Sequence, residues 1–360
     1  MKHLLAIVVV STWAACSAPA LNTDLSQAEQ HEKAGRHDEA LAAFGRAQTS
    51  CRRIENGQRR RINCSNAYLH RAELLENLGR KLDAAKAYQA VPAALPNDKP
   101  SGAQATYRAG RIYLTLRQDK LAYTLLWRTI TDYPNEGFAG DALKIVLRDG
   151  RKRNAKQLYT VLWDLFQTTK KTRVGDNVLF AMARLAEDEF RDKRRALSHY
   201  DDLYSRYRLS GLYDDALWHG ARLARAMGDS KGAAKRLRKL LDSREVSRGG
   251  IGSYFSIWLD NAQLLLGIVL RDDLKDVPGA LAAFKLLPEH YPASVLRDDA
   301  IYETAVAWHL GKQPAKACKA LAKLRKDWKD SRYELVKAPA LRRKLGCTEV
   351  GSKAIVRPRR

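Results

Sequence analysis

One stretch of the chain repeats, and the repetition limits the folds open to it. Residues 103–134, AQATYRAGRIYLTLRQDKLAYTLLWRTITDYP, read as a helix, a short polar turn and a second helix. Gly110 and Tyr113 lie one turn apart on the first helix, Ala122, Leu126 and Thr129 share a face of the second, and Tyr133 and Pro134 close it. Two antiparallel helices of this length cannot bury their apolar faces alone, so neighbouring copies must supply the rest of the core. Copies are present. Counting from the small residue that opens each second helix, they begin at Ala40, Ala84, Ala122, Ala155, Ala196, Ala233, Ala280 and Ala317. Each carries a bulky residue four positions on: Phe44, Tyr88, Leu126, Tyr159, Tyr200, Leu237, Phe284 and Leu321.

About eight repeats over residues 21–333 predict an all-α chain: a right-handed superhelical solenoid of antiparallel helix pairs. Residues 334–360 read as a terminal helix broken by Pro339 and a basic tail. Pro96 to Pro100 is the most linker-like point, and it is short enough to lie between stacked repeats. The six tryptophans after residue 100, from Trp127 and Trp163 to Trp308 and Trp328, are spaced as repeat packing would require.

Residues 1–20 have the pattern of an export signal: a basic start, an apolar run from Leu4 to Val10, then small residues. Two cleavages compete. Trp13-Ala14-Ala15-Cys16 resembles a bacterial lipobox, which would lipidate Cys16 and anchor the chain at the periplasmic face of the outer membrane. Ala18-Pro19-Ala20 fits ordinary cleavage after Ala20, which would release a soluble periplasmic or secreted protein. Of five cysteines, withdrawal of Cys16 leaves four in an oxidising compartment, where disulfides form. Pairing Cys51 with Cys64 would clasp a basic insertion, and pairing Cys318 with Cys347 would tie the last repeat to the tail.

The formal charge of +24 implies affinity for polyanions: anionic lipid, lipopolysaccharide, peptidoglycan or an acidic protein. Export disfavours nucleic acid. The candidate basic contact surface consists of Arg52, Arg53, Arg59, Arg60 and Arg61 in the insertion, Arg151, Lys152 and Arg153 in the run from Arg148 to Lys156, and Arg236 and Lys239 on a later second helix. The 148–156 run reads as a solvated turn between helices and lacks interleaved aromatic platforms.

Chemistry-bearing constellations are weak. His199 beside Asp201 and Asp202 reads as a surface hydrogen-bonding group. Glu73 and Glu76 have no opposed carboxylate of the kind glycoside hydrolysis needs. Gly249, Gly250 and Gly252 lack the spacing and preceding strand of a dinucleotide fingerprint. No metal, cofactor or catalytic role is expected.

Ala72, Leu75, Ala84, Tyr88 and Pro96, with Gly110, Tyr113, Ala122 and Pro134, resemble the tetratricopeptide repeat in type and offset. Tyr291-Pro292-Ala293-Ser294 followed by Asp298-Asp299-Ala300 resembles junctions in the repeats of bacterial envelope proteins: the repeat lipoprotein of the outer-membrane β-barrel assembly machinery and the periplasmic coordinator associated with the Tol-Pal division system. The resemblance implies a noncatalytic scaffold that binds an envelope protein or extended peptide. The competing expectation is a soluble exported carbohydrate-binding or carbohydrate-processing helical protein, which would show an exposed aromatic cleft with paired carboxylates.

Overall fold

The computed structural model describes residues 17–51, 58–246 and 256–347, with side chains described at 20–51, 62–243 and 256–347. All regular structure among these residues is helical. Two compact units divide the chain, one ending at Ala181 and the other starting at Met182.

The N-terminal unit contains α1 (Ser17–Lys33), α2 (His37–Cys51), α3 (Gln58–Asn77), α4 (Lys81–Ala94), α5 (Lys99–Thr115), α6 (Asp119–Asp132) and the long α7 (Gly137–Thr169). The division falls inside α8 (Gly175–Asp188). The C-terminal unit continues through α9 (Lys193–Arg206), α10 (Tyr213–Ala226), α11 (Ser230–Val246) and α12 (Leu259–Ile268), which runs into a π-helical turn, Val269–Asp273. Next come α13 (Val277–His290), α14 (Arg297–Leu310), α15 (Pro314–Asp327), a second π-helical turn, Tyr333–Lys337, and α16 (Ala338–Leu345). Within each unit, consecutive helices pack as antiparallel pairs.

The predicted second-helix faces form the core. Ala40, Phe44, Ala84, Tyr88, Ala122 and Leu126 are fully buried in the first unit, and Ala196, Tyr200, Ala280 and Leu321 in the second. The fourth copy departs from the expected register. Ala155 and Tyr159 are half-buried, and Leu158 and Leu165 take core positions beside the expected Leu162. A small residue is needed where two helices cross, and here it comes from the partner helix: a Cβ on Gly150 would sit 3.1 Å from the methyl carbons of Leu158.

Turns from first to second helix share one backbone device, a residue in the left-handed region. Gly35, Gly79 and Gly228 fill it at φ of 72°, 74° and 85°. Arg117, Arg191, Lys275 and Lys312 adopt it at 55–59° although they carry Cβ atoms. In the fourth pair Asn154 replaces this turn. Its extended backbone (φ −161°, ψ 94°) breaks α7, and its side-chain oxygen accepts from the Gln157 amide at 2.9 Å, capping the second half. The basic run is therefore helical up to Arg153 and is not an extended inter-helix turn.

Turns from second to first helix carry a different device. Ser210, Ser256 and Ser294 each accept a hydrogen bond from the amide two residues on. Ser294 also donates to Asp260 in the preceding repeat at 2.6 Å, and Ser256 is hydrogen-bonded to Asp214 in the same sense. Ser256 and Ser294 thus clip successive repeats together.

Proline stops helices late. Pro92 lies inside α4, and Pro288 inside α13, each with two helical residues beyond it. Ahead of Pro278, Arg271 and Asp272 lie in the first π-helical turn.

Gly267 shows how close the crossings are. A Cβ there would lie 2.3 Å from Cε1 of the buried Phe284 ring, so Gly267→Ala is expected to destabilise the C-terminal unit by about 2 kcal/mol. Gly45 is a helical glycine with open space around it, and Gly45→Ala should stabilise by roughly 0.5–1 kcal/mol. Chemical denaturation of both variants checks the contrast, and equal effects would remove the steric reason for glycine at 267.

Candidate functional site

A concavity of about 550 Å³ in the N-terminal unit lies between α6 and the two halves of α7. Its apolar surface comes from Trp127, Val146, Leu158 and Val161. The sharp break at Asn154 creates it, bringing residues 146–153 and 157–161 together beside the exposed edge of α6.

Polar groups line one side. Tyr123 donates its hydroxyl hydrogen to Asp149, and Asp149 also accepts from Arg148 Nε at 3.3 Å. The hydrogen bond from Tyr123, with the help of Arg148, holds the Asp149 carboxyl below its ordinary range. Burial and the Asp149 hydrogen bond push the Tyr123 phenol up to about 12. Near neutral pH the pair is thus a phenol donating to a carboxylate, and neither group supplies an acid or base for turnover.

The Arg153 guanidinium lies 5.4 Å from the centre of the Tyr123 ring. Stacking of this kind uses the face of the guanidinium and leaves its N–H edge for a hydrogen-bonding partner. Lys120 and Asp119 complete the lining, and exposed Arg148 and Lys152 lie on the adjoining turns of α7. With Asp149 already hydrogen-bonded, the surroundings favour an anionic group beside an apolar one.

Sequence reasoning missed Tyr123, Trp127 and Asp149. The aromatic platforms absent from the basic run are supplied by the neighbouring α6, four residues apart and hence on one helical face. Trp163 likewise departs from simple core packing, being 47% exposed.

The other predicted residues are distributed as follows. Cys16, Arg52 and Arg53 lie outside the described residues; Arg59, Arg60 and Arg61 lie in α3, with side chains outside them. Disulfides join Cys51 to Cys64, with Cα atoms 5.7 Å apart, and Cys318 to Cys347, at 5.4 Å. Arg151, Lys152 and Arg153 are on α7. Arg236 is 12% exposed at its side chain and grips Asp201 through two hydrogen bonds of 2.8 and 2.6 Å, which tie α11 to α9. Lys239 lies 4.8 Å from the centre of the Tyr204 ring. These two bind the scaffold together instead of facing solvent as an open basic flank.

His199 is buried, not a surface group, and burial holds its imidazole below the ordinary range. Its neighbour Asp201 is engaged by Arg236. Glu73 and Glu76 both pair with Arg108 at 3.3 Å, and Glu76 accepts from the buried Tyr88 hydroxyl. Among the described residues no group of three or more His, Cys, Asp or Glu could hold a metal ion.

The C-terminal unit has a groove of about 470 Å³ among α13, α14 and α15. Leu281, Phe284, Ile301 and Trp308 line it, with Lys285 and Lys323 at its margin. This helix pair decides the type of repeat: residues 299–331 match the family model for the tetratricopeptide repeat. The fold is tetratricopeptide-like.

No curated protein matches the sequence. Among solved structures, one similar chain is PilW, described as a widely conserved type IV pilus biogenesis factor. It is 12% identical, with 78% of this chain and 98% of that one covered and a TM-score of 0.37. A tetratricopeptide repeat protein from Parabacteroides merdae is 10% identical over 91% of this chain and 100% of its own, with a TM-score of 0.31. The C-terminal part of a repeat-containing protein from Cytophaga hutchinsonii is 17% identical over 77% and 98%, with a TM-score of 0.40.

Proposed function

We propose that this chain is a noncatalytic scaffold of the bacterial envelope that holds an extended segment of a partner protein during envelope assembly, maintenance or division. The observation that supports this reading is the groove between α6 and α7, where an aromatic and aliphatic floor adjoins a ring-stacked arginine. Helical-repeat grooves of this kind take peptides through a few anchored side chains. The chemistry selects a segment with a bulky apolar residue next to a carboxylate: the apolar group fits over Trp127 and Val161, and the carboxylate reaches Arg153.

The envelope setting rests on residues 1–20, read as an export signal with Cys16 as the lipidated mature N-terminus, which would hold the chain at the periplasmic face of the outer membrane. Residues 21–333 are then the repeat scaffold and 334–360 its cap and basic tail. Lipopolysaccharide or peptidoglycan phosphates offer the basic surfaces a second class of contact.

Selection of displayed peptides on the exported full chain tests the groove. Enriched sequences are expected to pair an acidic residue with an aromatic or large aliphatic one. Trp127→Ala should weaken a selected peptide roughly thirtyfold and Arg153→Glu about tenfold, with circular dichroism unchanged. Peptides without that signature, or equal binding by both variants, would refute the groove assignment. Mass spectrometry of the mature N-terminus decides separately between lipidated Cys16 and cleavage after Ala20.

A further inference from the structure

We propose that the groove between α6 and α7 is polarised along its length, and that the partner segment it holds carries acidic residues on one side only of its apolar anchor, lying along α6 toward Lys120 and Arg117. This order rests on the peptide-holding role given above and adds to it a second contact.

A second concavity, of about 560 Å³, adjoins the groove. Asp119, Lys120 and Thr124 line both, so the first opens into the second at the start of α6. Arg117 and Leu121 extend the lining beyond the groove itself. Arg117 belongs to the turn before α6, which two backbone hydrogen bonds hold in place: the Arg117 amide donates to the Leu114 carbonyl at 3.2 Å and the Gln118 amide to the Tyr113 carbonyl at 3.0 Å.

The two ends differ in chemistry. Trp127, Val146 and Val161 form an apolar end. The other end lies where the turn before α6 meets the break at Asn154. Arg117 and Lys120 are exposed on its α6 side, and Lys152, Arg153 and Lys156 are exposed within two residues of Asn154 on its α7 side. Asp119 is the exposed acid there, while Asp149 is already hydrogen-bonded to Tyr123 and Arg148. Five cations therefore stand against one exposed carboxylate, and their field reaches about 8–10 Å, far enough to cover the mouth of the groove. The apolar end is recessed between helices, which admits an extended chain and excludes a bilayer surface.

Geometry sets the spacing in the partner. Seven residues separate Lys120 from Trp127, which at a helical rise of about 1.5 Å per residue is about 10 Å. An extended chain covers that distance in about three residues. An acidic side chain three or four positions from the anchor thus comes opposite Lys120, with Arg117 just beyond, while the carboxylate next to the anchor meets Arg153.

Fluorescence anisotropy of labelled synthetic peptides on the exported full chain tests this order. All the peptides contain a tryptophan anchor beside an aspartate. One adds a pair of glutamates three and four positions after the anchor, another places the pair as far before it, and a control has glutamines instead. One of the two glutamate orders is expected to bind about fivefold more tightly than the control at low salt, and the other to match the control. Arg117→Glu with Lys120→Glu should remove the advantage. Equal gains for the two orders, no gain in either, or an advantage that survives the double variant would overturn the proposal, and the groove would keep its peptide-holding role if Trp127→Ala still weakened every peptide. Peptides that all bind Trp127→Ala as they bind the native chain would overturn that role and this order with it.

Discussion

Replacing Arg271 by alanine is expected to lower the unfolding free energy of the C-terminal unit by about 3–5 kcal/mol. Arg271 lies in the π-helical turn Val269–Asp273 and is only 6% exposed. Its Nη1 donates to the Glu303 carboxylate and to the Glu303 carbonyl oxygen, the latter at 3.2 Å. Its Nε and Nη2 donate to Asp272 at 2.7 and 3.0 Å, and the guanidinium lies 5.8 Å from the centre of the buried Phe284 ring. Burial opposes the charge on Arg271, but the hydrogen bonds to Asp272 and Glu303 outweigh it and raise the pKa. Truncation leaves Glu303 buried without its cation, which explains the large effect. Two further variants separate pairing from packing. Arg271→Lys keeps a charge but loses the planar fork and should recover less than half the loss. The double variant Arg271→Met with Glu303→Leu removes both charges and should be far milder than Arg271→Ala. Equilibrium denaturation measures all three. A loss below about 1 kcal/mol for Arg271→Ala would show that the pair contributes little.

The repeat was legible because its second-helix faces are made by side chains four residues apart that must be apolar wherever they meet a neighbour. Tyr88 and Tyr200 illustrate this: both are fully buried at the predicted positions, and each satisfies its hydroxyl through a glutamate on its own first helix, Glu76 or Glu187. The fourth copy was misread because a rule about small residues says only that one side of a crossing must be small, and there Gly150 supplies the small side while Leu158 supplies the large one. Arg271 was hidden for a related reason. One additional residue in a π-helical turn moves a charged side chain from the polar side of the helical pattern to the inner one, and composition carries no sign of it. The groove was illegible because its parts are distant in sequence. Trp127 looked like a packing residue and Arg153 like a solvated cation until the break at Asn154 brought the basic run against α6 and Tyr123.

Acidification from about pH 4.5 to 2 should remove about 3 kcal/mol of stability through a single residue, Glu187. Burial works to raise its pKa. The adjacent His219 ring and the hydrogen bond from Tyr200, together with the charge of Arg184, outweigh burial and lower the pKa from 4.5 to about 2. Tyr200 donates at 2.8 Å, His219 Nδ1 lies at 3.6 Å and Arg184 Nη1 at 3.3 Å, while the His219 ring stacks on Tyr200. A carboxyl whose pKa is lower in the folded chain stabilises the fold above its unfolded pKa, and that stabilisation is lost as pH falls toward the folded value. Asp149, Asp272 and Glu334 are shifted in the same direction, and Asp214 and Asp299 in the opposite one, so the total acid response mixes several groups. Subtracting the stability of Glu187→Gln from that of the native chain at each pH isolates one of them. The difference should be constant above about pH 5 and shrink by about 3 kcal/mol as pH falls toward 2, because glutamine keeps an acceptor for Tyr200 but cannot titrate. A difference that stays flat across this window would mean that Glu187 is no better stabilised as a carboxylate in the folded chain than in the unfolded one. The hydrogen bonds around it would then serve to orient Tyr200 in the core without holding a charge there.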